Sequence, residues 1–327
     1  DVQIKQDIVE EIARFIGYDN IAPELPRLAL EPAQLQRINR VRTIRRLCAY
    51  AMDMQELYGY SFHDESFLRK IRWQPENTIS VASPVSENWS QLVTTLVPNM
   101  LKAVQDNSAE HDKLRFFEWA RVWQKEPLVV EQKKLVGIFF DKKNQIDFYE
   151  AKQSVSHLFD ALRCTVSWQQ VADPEHPWFA PYRTAHIMHN DVCVGIAGIA
   201  EPFFLKDITD GHAFIFELDG DFLLSYQAEQ KRFTQLAKYP DVSRDVSLMV
   251  PLKTTVQMLE EIIVGADEHV QHVALQDFFT KPEWKNQKAL TFRFVLRDQN
   301  KTMTKEQADS ICDTITDALA RAGADIR

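Results

Sequence analysis

The last 94 residues carry the pattern that most restricts the fold. Residues 244–250 alternate as a strand does, 255–264 have helical spacing, and 270–280 and 289–296 are strand-like again. Thr304 then opens a helix, with Gln307 three residues on as a capping box requires. Ala308, Ile311, Cys312, Ile315 and Leu319 form its apolar stripe, and Gly323 stops it. Strand, helix, strand, strand, helix and a short tail able to add a last strand is the order of a ferredoxin-like split β-α-β unit.

Upstream the chain is organised differently. Residues 5–16 are helical by period, with Ile8, Val9, Ile12, Phe15 and Ile16 on one side and Gly17 as the stop. Pro23, Pro26 and Pro32 mark a linker. A second helix is expected over 34–54, with Ile38, Val41, Ile44, Cys48 and Ala51 inward and Arg37, Arg40, Arg42, Arg45 and Arg46 on its other faces. Residues 113–123 and 134–140 read as strands, and 186–195 as a hairpin turning at Asn190-Asp191. Residues 212–224 read as a further strand pair around Asp219-Gly220, with helices at about 90–107 and 149–163. Strands and helices mixed without β-α-β alternation predict an antiparallel α+β module. The expected pieces are 1–24, 25–233 and 234–327.

Composition narrows the function. Nine glycines in 327 residues leave no G-x-G-x-x-G after a strand and no G-x-x-x-x-G-K-[ST] loop. Apolar residues at 45% and charged residues at 26% describe a soluble globular chain, and no apolar run reaches membrane-spanning length. The opening Asp1-Val2-Gln3-Ile4, without an initiator Met, reads as part of a longer or processed polypeptide. Net charge is −9, which argues against nucleic-acid binding by the chain as a whole. Cys48, Cys164, Cys193 and Cys312 are scattered, so a reducing cytoplasm is the expected compartment.

Two clusters stand out. Asp7, Glu10 and Glu11 lie at i, i+3 and i+4, with Asp1 able to approach from the preceding segment. Oxygen-only ligands suit Mg²⁺ or Ca²⁺, and the same spacing also describes a solvated acidic face near a helix start. Within 281–305, Lys281, Lys285, Lys288, Arg293, Arg297, Lys301 and Lys305 oppose only Glu283 and Asp298. Phe278, Phe279, Trp284, Phe292 and Phe294 interleave with them, as on a surface that stacks bases, or as core aromatics beside a solvated rim. His186 with His189, and His269 with His272, are three apart on strands and so point to opposite faces. No G-x-S-x-G or H-E-x-x-H occurs, and no catalytic constellation is found.

Three stretches, in order, resemble the C-terminal part of the β subunit of bacterial phenylalanyl-tRNA synthetase. The first is Asp1-Val-Gln-Ile-Lys-Gln-Asp7-Ile-Val-Glu10-Glu11 through Ile21, similar to the end of that subunit's B5 domain. The second is Ala82-Ser-Pro84-Val-Ser86-Glu87-Asn-Trp89 through Pro98, followed by Phe116-Phe117-Glu118-Trp-Ala-Arg121, similar to its catalytic-like module. The third is Lys238-Tyr239-Pro240 through Arg244-Asp245, with Asp277-Phe278-Phe279 and Leu290-Thr291-Phe292-Arg293, which resembles the ferredoxin-fold anticodon-binding domain.

That resemblance implies a class II synthetase-like module without its own active site, followed by a ferredoxin-like βαββαβ domain. It implies Mg²⁺ at Asp1, Asp7, Glu10 and Glu11, at a site shared with the catalytic α subunit. It implies tRNA contacts at Asp277, Phe279, Lys281, Lys285, Lys288, Arg293, Arg297 and Lys301. The implied partners are the α subunit, in an α2β2 heterotetramer, and the phenylalanine tRNA. The ATP-dependent aminoacylation would belong to the α subunit, and residues 34–54 would form the interface helix. The chain departs from the family at Val93, where Arg is usual, and at Asn99, Ala120, Gln153 and Tyr182, where Gly is usual. The 281–287 loop also lacks the usual glycines. The alternative expectation is a free-standing, non-catalytic RNA-binding or scaffold protein.

Overall fold

In the computed structural model, side chains alternate across β2 (Lys113–Gln124), β3 (Val130–Asp141) and β7 (His212–Asp219) so that each face of one sheet is apolar. Phe116, Ile138 and Ile215 share a row on one face, and Phe117, Gly137 and Phe216 share the adjacent row on the other. Gly137 is required there, because a Cβ would stand 2.2 Å from the Phe216 ring. The structure describes residues 2–25, 35–125, 127–228, 238–281, 283–284, 286–299 and 301–326. The chain divides into two units, Asp1–Gln230 and Lys231–Arg327.

In the first unit the sheet has seven strands in the order β1-β2-β3-β7-β6-β5-β4. Here β1 is Gln55–Glu56, β4 Ser167–Val171, β5 Phe179–His189 and β6 Val192–Ala200. The sheet is mixed, not wholly antiparallel as expected, because β1 runs parallel to β2. The long connection between them, through α3 (Glu65–Lys70) and α4 (Val97–Asn107), gives the chain room to return in the same direction. Those two helices cover one face through Leu68, Leu101 and Val104. The other face is covered by α2 (Gln36–Arg46) and α5 (Phe148–Ala161), through Ile44, Val155 and Phe159. The expected 34–54 helix changes pitch: after Arg46 a π-turn spans Leu47–Ala51, closed by Met52 N–H on the Leu47 carbonyl at 3.1 Å.

The hairpin at Asn190-Asp191 forms as expected, both residues lying in the left-handed region (φ 46° and 66°) that a two-residue turn requires. The expected strand pair around Asp219-Gly220 does not. Asp219 ends β7 and accepts from Phe222 N–H at 2.9 Å, so it caps α7 (Gly220–Ser225) instead of turning a hairpin. A five-residue helix, α6 (Pro202–Lys206), precedes β7. The first helix, α1 (Lys5–Ile16), has the expected bounds, but none of its residues is buried and Phe15 is 88% exposed.

The second unit has the strand order β11-β8-β10-β9, with β8 Val242–Pro251, β9 Val270–Phe279, β10 Gln287–Leu296 and β11 Asp325–Ile326. Two helices, α8 (Val256–Ala266) and α9 (Lys305–Arg321), complete a ferredoxin-like βαββαβ fold. The capping box forms: Gln307 N–H donates to Thr304 Oγ1 and Thr304 N–H to Gln307 Oε1, at 3.3 and 3.1 Å. Leu248, Phe292 and Phe294 meet Ile263, Ile315 and Leu319 in its core.

Candidate nucleic-acid interface

Strand β10 divides its side chains sharply. Leu290, Phe292, Phe294 and Leu296 are buried with the helices, so Phe292 and Phe294 are core aromatics. Ala289, Thr291, Arg293 and Val295 fall on the opposite face, which no helix of this unit's core covers. The pairing register places Asp245, Ser247 and Met249 of β8, and Asp277 and Phe279 of β9, on that same face.

The cations expected to meet RNA are unequal there. Arg293 donates through Nε and Nη2 to both Asp245 oxygens at 2.8 Å, and Arg297 donates to both Asp241 oxygens at 2.6 and 2.7 Å. These forks raise the arginine pKa values and lower those of the two aspartates. Lys288 falls instead in phase with Leu290 and Phe292, on the helix-covered face, where it is half-buried and burial pulls its pKa down. Lys301 is exposed, and Lys285 lies outside the described residues.

The end of β9 gathers a different group. Phe279, about half exposed, meets Trp284 edge-on with ring centroids 5.6 Å apart. The Lys281 ammonium lies 5.7 Å from the Phe279 centroid and 5.4 Å from that of Trp284. Asp277 beside them accepts from Phe278 N–H at 2.9 Å. The structure thus brings Asp277, Phe279 and Lys281 together and adds Trp284, while Arg293 and Arg297 are held by carboxylates. Those carboxylates lie 48 and 56 residues away in sequence, beyond the reach of spacing arguments.

In the first unit, the larger sheet carries two carboxylates on the face that α3 and α4 cover. Glu217 accepts from Thr95 Oγ1 at 2.7 Å and from Leu96 N–H at 2.9 Å. Glu118, buried, accepts from Gly59 N–H at 2.7 Å; its burial raises its pKa, and the nearby Glu56 adds to this against the Gly59 hydrogen bond. Val93, where the family usually has Arg, is fully buried. Asn99, in place of a glycine, donates to the carbonyls of Tyr60 and Phe62 at 3.0 and 3.2 Å. His186 and His189 have separate partners: His186 Nδ1 lies 3.7 Å from Cys193 Sγ, and His189 Nδ1 2.8 Å from the Thr165 carbonyl.

The acidic helix face does not converge. Asp7 Oδ2 accepts from Gln3 N–H at 2.7 Å and Ile4 N–H at 2.9 Å, which lowers its pKa and starts α1. Glu11 pairs with Arg14 at 2.7 Å. Asp1 lies outside the described residues, and among those described no three acidic, His or Cys side chains gather as a metal site.

Residues 21–220 match the phenylalanyl tRNA synthetase beta chain CLM domain. The chain belongs to the phenylalanyl-tRNA synthetase β-chain family. Residues 237–327 match the ferredoxin-fold anticodon binding domain. Among relatives of the family, the phenylalanine–tRNA ligase beta subunit of Bacillus licheniformis is 29% identical over 98% of this chain and 41% of its own length. That of Nitrosospira multiformis is 27% identical over 100% and 42%. That of Bacillus subtilis is 29% identical over 98% and 41%. The chain therefore spans about two fifths of the length of these relatives. No helix among the described residues is long and apolar enough to cross a membrane.

Proposed function

We propose that this chain serves as the C-terminal part of a phenylalanine–tRNA ligase β subunit and binds the phenylalanine tRNA through the face of its smaller sheet opposite the helices. The Phe279–Trp284–Lys281 group carries this reading. Partly exposed rings beside an ammonium, at the end of an edge strand that also carries Asp277, suit an unpaired base with its phosphate. ATP-dependent aminoacylation, in the cytoplasm, falls to a catalytic α subunit in an α2β2 assembly. The absence of a glycine loop in the sequence and the engagement of Glu118 and Glu217 by backbone donors support that division. The end of the helix over 36–51, at Tyr50, 84% exposed, is the proposed contact for that subunit. A Mg²⁺ held by Asp1, Asp7, Glu10 and Glu11, at a site shared with the α subunit, belongs to the same proposal: Asp7 accepts the Gln3 and Ile4 N–H groups through Oδ2 alone, which leaves Oδ1 for a cation.

Two measurements test it. The chain co-expressed with an α subunit of the same family should co-purify as a complex. In filter binding, Phe279→Ala and Lys281→Ala should each weaken phenylalanine tRNA binding by roughly tenfold, about 1–3 kcal/mol for a lost stacking contact. RNA binding retained without α association favours the free-standing alternative. Unchanged binding by both variants removes the sheet edge from the reading.

A further inference from the structure

The first unit holds a basic cleft along the start of α2, at Gln36–Thr43, away from the Tyr50 end proposed above for the α subunit. Its volume is about 940 Å³, and α2, the turn after α5 and the segment following α7 enclose it. Arg37, Arg40 and Arg163 line it, and no Asp or Glu does among the described residues. None of the three guanidiniums has a carboxylate within ion-pair distance among those residues, unlike Arg293 and Arg297. In a chain of net charge −9, three arginines on one concave surface, with no carboxylate partner among the described residues, make a local anion site.

The cleft is held in shape. Arg40 lies 5.9 Å from the Tyr226 ring centroid, and Tyr226 Oη donates to the Arg163 carbonyl at 2.9 Å. Arg163 itself occupies an unusual place. Its N–H donates to the Asp160 carbonyl and Cys164 N–H to that of Phe159, both at 2.9 Å, which closes α5 in a Schellman motif. Arg163 is the left-handed residue of that motif (φ 56°), the position glycine ordinarily fills. A bulky side chain there works against the backbone preference.

We infer that this cleft binds the phosphodiester backbone of RNA, as a second contact in addition to the sheet edge of the smaller unit. The choice of RNA over an acidic protein rests on the proposed tRNA-binding function and on the lining itself. Gln36, Asn39, Thr43 and Ser225 supply amides and hydroxyls, the side chains that accompany arginine on phosphate and sugar. The leucines of the lining, Leu162 and Leu224, are both buried and offer no anchor for a protein partner. A guanidinium fork matches a phosphate in geometry as well as charge.

The test is the salt dependence of binding to a phenylalanine tRNA transcript by the full chain. Each phosphate contact contributes roughly 0.7–0.9 to the slope of log K against log salt. The Arg37→Gln/Arg40→Gln double variant should lose about two contacts' worth of slope, and Arg163→Gly about one. Arg163→Gly should also keep or raise the melting temperature, so its loss of slope cannot come from unfolding. Arg40→Lys, which keeps the charge, should keep most of the slope. Lys281→Ala runs in parallel: if it lowers the slope and the cleft variants do not, the cleft inference falls and the sheet-edge reading stands. A wild-type chain whose RNA binding ignores salt overturns both. Displacement of the RNA by polyglutamate from the wild-type cleft, at equal charge concentration, would assign the cleft to an acidic protein and overturn the inference.

Discussion

Glu118 and Glu217 face the same side of the larger sheet from strands one apart, with Val136 in register between them. Two strand spacings put their backbones about 10 Å apart. A pair of partly desolvated carboxylates on one face is the raw material of acid–base chemistry. Here each is already an acceptor for a loop backbone, Glu118 for Gly59 and Glu217 for Leu96 and the Thr95 hydroxyl. They pin the covering layer to the sheet.

If Glu217 is a pin, its removal is a stability defect. Glu217→Ala leaves a hydroxyl and a backbone N–H without their acceptor and should cost about 2–4 kcal/mol in urea unfolding. Glu217→Gln keeps an acceptor oxygen and should cost less. A loss below about 0.5 kcal/mol for the alanine variant would contradict the role.

His63 makes stability depend on pH in a defined window. It is fully buried against Trp73, its Nε2 accepts from Thr94 N–H at 3.2 Å, and its Nδ1 has no hydrogen-bond partner among the described residues. Burial pushes its pKa from 6.5 down to about 4. Above pH 6.5 both folded and unfolded forms are neutral and the full stability is present. As pH falls below 6.5 the unfolded chain takes up the proton first, so stability declines until about pH 4. The loss across that window is about 3 kcal/mol. Paired urea titrations of wild type and His63→Gln at pH 7, 5.5 and 4 isolate it, since the variant lacks this component.

Tyr182 keeps a glycine's backbone without the glycine. Its φ is 59°, its side chain is 67% exposed, and its carbonyl accepts from Gln170 Nε2 at 2.7 Å. Little packing opposes a change, so Tyr182→Gly should stabilise the chain by about 0.5–1 kcal/mol, the relief of left-handed strain less the added chain entropy. Thermal unfolding reads it, and a lower melting temperature would show that the ring holds contacts worth more than the strain.

The forks on the smaller sheet set which cations are free for the RNA contact proposed above. Asp245→Asn releases Arg293 from its carboxylate and adds positive charge to the face opposite the helices. It should strengthen phenylalanine tRNA binding and steepen its salt dependence. Weaker binding by Asp245→Asn would mean that the fork positions Arg293 for contact instead of withholding it.

Much of this was legible before any coordinates. The bounds of α1, the Thr304–Gln307 box, the Asn190-Asp191 turn and the strand–helix order of 244–321 rest on signals within a few residues of one another. Asp219-Gly220 misled for the same reason. An Asp before a Gly suits both a hairpin turn and a helix cap, and only the chain beyond it decides. At the candidate interface, the sequence placed Phe279 beside Lys281 by adjacency, and could not tell that Phe292 and Phe294 face inward while Arg293 is neutralised.

The sequence alone determined most of the secondary elements, the ferredoxin-like order of the C-terminal unit and the want of glycine loops for a nucleotide. Tertiary structure decided what the charged groups do. Arg293 meets Asp245 across 48 residues and Glu217 meets Thr95 across 122. The physical reason is register. A one-residue slip of either strand would turn those side chains to the opposite face, and pairing register is settled by the packing of whole sheets, not by any local run of residues.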